Sequence, residues 1–195
     1  AGNVLNALGD EAKDINHVFL THSHADHITD LPFIIETFFE NRETPLTIYA
    51  LEETIEVLKK HSFNDVIWPD FTKIKLLRKD AFSLILKPIK LDEIIKIHNY
   101  SIKAIKANHI SGACGFVIKK NHQGFVISGD THINPHIWEE INNDEEIRSL
   151  IIECSYPDKL QELAKLTKHL TPELIANELE KLTRKNLSVF YYHLK

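Results

Sequence analysis

The 195 residues carry 28 Asp and Glu against 23 Lys and Arg, a net charge of -5, with 43% hydrophobic and 26% charged residues. That balance suits a single globular domain over 1–195 with a sizeable core, and the charges are spread along the chain instead of gathering into a basic face for a phosphate backbone. A long nucleic-acid partner is therefore disfavoured, and so is a membrane span, since no apolar run approaches the roughly 20 residues a bilayer requires.

In chain order, residues 3 to 13 are predicted as a short helix and His17 to Thr21 as a buried strand. The strand delivers the densest cluster of chemistry in the chain, Thr21-His22-Ser23-His24-Ala25-Asp26-His27. Residues two apart in an extended segment face the same way, so His22 and His24 can address one ion. Asp26 and His27 follow as the chain turns towards a helix predicted from Ile28 to Glu40, interrupted near Pro32, and can face a second ion. Six other histidines, His17, His61, His98, His122, His132 and His136, need no explanation beyond ordinary surface residues.

Leu46 to Tyr49 alternates as a strand does, and Glu52 to His61 is a helix with Ile55, Val57 and Leu58 on its apolar face. Ser62 to Phe71 is irregular and aromatic, with Trp68-Pro69 opposing a continuing helix, and reads equally as a self-packed loop or as a pocket wall. The pattern then turns β-rich, with strands predicted at Ile74 to Leu77, Phe82 to Leu86, Ile94 to His98 and Tyr100 to Ala107. A hairpin follows, Phe116 to Ile118 and Phe125 to Ile127 around a turn at Asn121 to Gly124, and its second strand stops at Ser128-Gly129-Asp130-Thr131. Helices are predicted at Ile137 to Ile141, at Lys159 to Lys168 and from Thr171-Pro172-Glu173 onwards, the last with a capping residue, proline in the first turn and an early acid. Strands are predicted at Leu150 to Ile152, running into Glu153, and at Leu187 to Tyr192, ending at His193.

Cys114 and Cys154 lie in apolar stretches and read as buried free thiols, which suits a reducing compartment. With no basic-then-apolar start, the expected location is cytoplasmic. The chain has no methionine, even at position 1, and opens on Ala1-Gly2-Asn3, so N-terminal residues or methionines are expected to be absent from it.

The strand ends at His22, His109, Asp130, Glu153 and His193 each offer a metal- or proton-competent side chain. In a layered α/β protein strand ends gather along one edge, so these distant residues can meet. The set His22, His24, Asp26, His27 spells the H-x-H-x-D-H motif of the metallo-β-lactamase superfamily, which the chain resembles through His109, Gly129-Asp130-Thr131 and His193 as well. Within it the chain looks most like class II 3′,5′-cyclic-nucleotide phosphodiesterases. Phe63-Asn64, Ile67 to Asp70, Ile152 to Pro157, Lys168 to Pro172 and His193-Leu194-Lys195 carry that likeness. It departs where the family's opening strands, with their glycine-rich start, are not in this chain, and where His132 follows Gly-Asp-Thr in place of a residue that is often small.

The resemblance implies an α/β fold, a four-layer αβ/βα sandwich, with two divalent metal ions. His22, His24 and His109 would hold one, Asp26, His27 and His193 the other, and Asp130 would bridge them. Imidazoles and carboxylates without thiolate suit zinc, with manganese and iron as further candidates. Asp26, Glu153 and His169 are the catalytic candidates; His169 would protonate a leaving alkoxide and Glu153 would orient it. The implied activity is hydrolysis of cyclic AMP or cyclic GMP to the 5′-monophosphate by a water activated between the ions. The implied partners are the small cyclic nucleotide and a second copy of the chain in a homodimer. Alternatives are a tRNA 3′-end endonuclease of the RNase Z type, a thioester or lactone hydrolase, and a non-catalytic metal- or nucleotide-binding module. The endonucleases normally carry a protruding, glycine-rich basic arm, and six glycines in total supply no such run here.

Overall fold

The computed structural model describes residues 4–194. The chain forms two compact units, Ala1–Ile89 and Lys90–Lys195.

The first unit opens with α1 (Val4–Leu8) and a 3-10 turn at Gly9–Asp14. The single helix predicted for this stretch breaks at Gly9, whose φ of +52° a helix cannot continue; residue 3 lies outside the described residues. Strand β1 (His17–Phe19) is followed by α2 (Ala25–Ile28) and α3 (Leu31–Thr37). Helix therefore begins inside the His/Asp cluster, earlier than predicted. The helical stretch is interrupted near Pro32 as predicted: α2 ends at Ile28 and α3 begins at Leu31, with Pro32 in its first turn, where an N–H has no partner to lose. Strand β2 (Leu46–Leu51) is buried at every position, as a central parallel strand covered on both faces must be. It lies between β1 and β3 (Leu84–Ile89), parallel to both. Helix α4 (Glu52–His61) matches its predicted span, with acids in the first turn and Lys59, Lys60 and His61 in the last, each complementing the helix dipole.

Two strand predictions here need correction. Ile74 to Leu77 is not a strand and contributes only an isolated bridge, Lys75 to Phe82. The next strand starts at Leu84, not Phe82, and continues through Pro88, which an edge strand tolerates because its missing N–H can face away from the neighbour. The core of this unit packs Leu31, Ile34, Ile35, Ile48, Ile55, Leu58 and Phe63 together.

The second unit is built on a six-stranded sheet in chain order: β4 (Ile94–Ile97), β5 (Tyr100–Lys106), β6 (Cys114–Lys120), β7 (Gln123–Ile127), β8 (Ile147–Glu153) and β9 (Ser188–Tyr192). The first four are antiparallel to one another, whereas β7, β8 and β9 run parallel. Helix α5 (Pro135–Asn143) connects β7 to β8, and α6 (Gln161–Thr167) with α7 (Pro172–Leu179) connects β8 to β9.

The β6–β7 turn is made by Asn121 and His122, with φ of +50° and +61°, the double left-handed geometry favoured between twisted strands. It is tighter than the predicted four-residue turn, and Gly124 already pairs with Lys119. Thr171 caps α7 as expected, its hydroxyl accepting from Leu174 N at 3.4 Å. Val126, Ile137, Trp138, Ile141, Leu150 and Ile152 form the core of this unit.

Candidate metal centre

In the first unit, Leu20 N donates to Tyr49 O at 2.9 Å and keeps the chain extended beyond β1. His22, fully buried, has Nδ1 3.1 Å from Thr21 Oγ1, so its Nε2 is the nitrogen that approaches His24 Nδ1, at 3.0 Å. Two nitrogens on one tetrahedral zinc lie about 3.3 Å apart, given metal–nitrogen distances near 2.0–2.1 Å. His22 Nε2 and His24 Nδ1 thus lie at a spacing that two ligands of one ion can share.

His24 is extended and immediately precedes α2, so the next turn carries Asp26 and His27 back beside it. The His22 and His27 rings stand 4.2 Å apart, centroid to centroid, and Asp26 Oδ2 lies 3.7 Å from His27 Nε2. Three imidazoles and a carboxylate are gathered by one short stretch of chain.

In the second unit the donors come from separate elements. Asp130 follows the end of β7 through Gly129, whose φ of +62° turns the chain there. Gly115 on β6 permits this end to approach, since a Cβ at that position would sit 2.6 Å from Ile127 O and 2.7 Å from Ser128 O. The Asp130 side chain is buried, with Oδ2 3.7 Å from His193 Nε2 and 4.0 Å from His169 Nδ1. Donor atoms of Asp130, His169 and His193 all lie within 4.8 Å of one another.

His109, also buried, has Nδ1 3.1 Å from Lys168 O, and Lys168 Nζ donates to His109 O at 2.7 Å. This reciprocal clasp puts the ring proton on Nδ1 and leaves the Nε2 lone pair for an ion, as ligand histidines require. Lys168 is in the left-handed conformation that ends α6, which turns its carbonyl out of the helix.

Glu153 has no exposed surface, yet its carboxylate is fully provided for. Oε1 accepts from Thr131 N at 3.0 Å and from His169 Nδ1 at 2.8 Å. Oε2 accepts from Ser155 N at 3.1 Å, Ser155 Oγ at 2.8 Å and Leu170 N at 3.4 Å. Such a complete set of donors offsets the cost of burying a charge. It also ties Glu153 to the loops carrying Asp130 and His169. Beside them, burial above all, then the charge of Asp130, drives the Tyr192 hydroxyl well above its ordinary range, against a lowering hydrogen bond to Ser128. Tyr192 therefore stays protonated at neutral pH.

Sequence reasoning passed over three residues here. Ser155 Oγ touches Glu153, His169 and His193; its position two after Glu153 on an extended chain was the signal that could have found it. His132, set aside as a surface histidine, has Nδ1 2.9 Å from His169 O and belongs to the surroundings of the site. Lys168 acts through its backbone conformation, which no residue pattern announces.

The donor chemistry fits divalent metal ions: imidazole nitrogens and carboxylate oxygens, several buried and already oriented by second partners. The two cysteines are buried and not joined in a disulfide, and burial pushes the Cys114 thiol up to about 12.

The family described as "Beta-lactamase superfamily domain" matches residues 3–191, and the chain belongs to it. Its fold is α/β and of the metallo-β-lactamase type. Among individual relatives, it is 27% identical over 214 residues to a "Probable 3′,5′-cyclic-nucleotide phosphodiesterase" of Yersinia pestis, a match covering 94% of this chain and 58% of that protein. A "Ribonuclease Z" of Methanosarcina mazei is 29% identical over 111 residues, covering 55% of this chain and 32% of that one. The solved structure of unliganded yeast PDE1 superimposes with a TM-score of 0.79 at 25% identity, covering 94% of this chain and 58% of that chain. The chain spans between 50% and 58% of the length of the curated phosphodiesterases it matches.

Proposed function

We propose that this chain is the catalytic part of a metal-dependent phosphodiesterase that hydrolyses 3′,5′-cyclic AMP or GMP to the 5′-monophosphate. The observation that carries the reading is the buried Glu153–His169 pair, 2.8 Å apart and beside the carboxylate of Asp130, in a chain that matches cyclic-nucleotide phosphodiesterases along most of its length. The ligand assignment is part of the same proposal: His22, His24 and His109 for one ion, Asp26, His27 and His193 for the other, and Asp130 for both, within one domain over 1–195. Zinc suits these donors. Such ions would supply Lewis-acid stabilisation of the phosphoryl oxygens and a water acidic enough to attack at neutral pH.

The chain's own residues then provide the proton. With Nδ1–H directed at Glu153 Oε1, protonated His169 has Nε2–H to give to the departing 3′ oxygen, and Glu153 stabilises the cation that donates it. His109, with Nδ1 bonded to Lys168 O, can only present Nε2. Asp26 orients beside His27. A homodimer in the cytoplasm completes the reading, the reducing compartment suiting two cysteines that form no disulfide. No helix among the described residues is long and apolar enough to cross a membrane.

The match to ribonuclease Z favours a second reading, a tRNA 3′-end endonuclease. Against it stand 28 acids to 23 bases with no basic run. Incubating the zinc-loaded protein with cyclic AMP, cyclic GMP, bis(p-nitrophenyl) phosphate and a pre-tRNA, with products separated by chromatography, decides between them. We expect 5′-monophosphates from the cyclic nucleotides; cleavage of the pre-tRNA alone would reverse the choice.

A further inference from the structure

We infer that Ser155 is a positioning residue that links His193 to Glu153, so that one buried carboxylate sets the tautomer of both His169 and His193. This deepens the proposed site and rests on that assignment of His193 and His169.

Ser155 is 1% exposed, and its Oγ lies 2.8 Å from Glu153 Oε2, 2.8 Å from His193 Nδ1 and 3.0 Å from His169 Nδ1. A hydroxyl has one hydrogen to donate and two lone pairs to accept with. The Glu153 carboxylate only accepts, so the Ser155 hydrogen belongs to Oε2. The oxygen then has only lone pairs to offer the imidazoles, and His193 must bring its proton on Nδ1. His169 faces the same demand directly, from Glu153 Oε1 at 2.8 Å.

Both rings are thereby protonated on Nδ1, with their Nε2 lone pairs directed away from Glu153. For His193 that nitrogen is the one 3.7 Å from Asp130 Oδ2, a spacing two ligands of one ion can share. The chain is His193 Nδ1–H to Ser155 Oγ, then Ser155 O–H to Glu153 Oε2. It is the relation by which carboxylates orient ligand histidines, with a hydroxyl interposed. Backbone geometry reinforces it. Ser155 N also donates to Glu153 Oε2, at 3.1 Å, so the backbone that carries the hydroxyl is tied to the same carboxylate. His193 sits at a φ of +64°, an uncommon conformation for a histidine, which the contact helps to hold.

The test needs no turnover. Nitrogen-15 spectra of metal-free, histidine-labelled protein at about pH 8.5, above the ordinary imidazole pKa near 6.5, report which ring nitrogen carries the proton. The wild type should show His169 and His193 as Nδ1–H tautomers. In Ser155→Ala the His193 signals should move to a mixture of tautomers while those of His169 stay, because Glu153 still holds them directly. Ser155→Thr, which keeps the hydroxyl, should retain the wild-type pattern. Zinc affinity, measured by competition with a chromophoric chelator, should fall about 10- to 100-fold in Ser155→Ala and recover in Ser155→Thr. An unchanged His193 tautomer in a folded Ser155→Ala protein would overturn the inference, and so would equal changes in His169 and His193. Since the readout uses neither substrate nor turnover, a failure of the phosphodiesterase assignment would show in the product assay alone.

Discussion

The two units assemble their chemistry in opposite ways. In the first, His22, His24, Asp26 and His27 come from a single passage running from beyond β1 into α2, and the switch from extended chain to helix brings them together. In the second, His109, Asp130, Glu153, Ser155, His169 and His193 come from the ends of different strands and from loops. They meet because β7, β8 and β9 run parallel, with Ile127 opposite Ile151 and Glu153 opposite Tyr192 at the strand ends. A slip of one residue in β8 would turn Glu153 to the other face of the sheet. The local cluster depends on dihedral angles over a few residues, whereas the dispersed one depends on a whole sheet and is correspondingly tied down by buried hydrogen bonds.

That contrast can be attacked at several points. The largest expected effect is chemical. His169→Ala should lower kcat on cyclic nucleotide by about 10²- to 10⁴-fold, the usual worth of a general acid, while leaving bound metal, measured by mass spectrometry, nearly unchanged. Parallel loss of metal and activity would make His169 a ligand instead.

Next comes the independence of the two cores. Ile48 is fully buried in the first unit, and Ile48→Ala should cost about 2–5 kcal/mol. The chain has two tryptophans, Trp68 in the first unit and Trp138 in the second, so fluorescence of single-tryptophan variants follows each during urea unfolding. A single domain over 1–195 requires both midpoints to fall together; a shift at Trp68 alone would mean that the units unfold separately.

A pH-dependent effect belongs to the second unit only, which holds both cysteines. Burial raises the Cys114 thiol from 9.0 to about 12. A folded-state value above the unfolded one contributes stability that is complete below the unfolded pKa and is lost as pH rises towards the folded one. Unfolding free energy should therefore decline between 9.0 and about 12, by up to about 1.4 kcal/mol per pH unit from this group, and Cys114→Ala should flatten that part of the decline in urea titrations. Smallest is the cap of α7: Thr171→Ala should cost about 1 kcal/mol by thermal denaturation, with Trp138 reporting it, since Glu178 of α7 accepts from Trp138 Nε1 at 2.7 Å.

Much of the fold was legible in residue patterns. The spans of α4, β4 and the α7 cap follow from periodicity, charge at helix ends and a capping threonine, all local signals. The errors have local causes too. Ile74 to Leu77 has strand-like residues but makes only a bridge, because a strand exists through its partner. The break near Pro32 falls two residues before it, because the ring sits in the first turn of the helix that follows.

What the sequence determined by itself was the chemistry available: the H-x-H-x-D-H stretch, the isolated His109 and His193, the Gly-Asp turn and the Glu153 and His169 pair, each readable because it lies at the edge of an apolar run. Tertiary structure alone decided how they are wired. That Lys168 O orients His109, that five donors surround Glu153, and that Ser155 joins His193 to it all depend on residues many positions apart. Hydrogen bonds have the range of a few ångströms, and only the folded sheet brings those atoms within it.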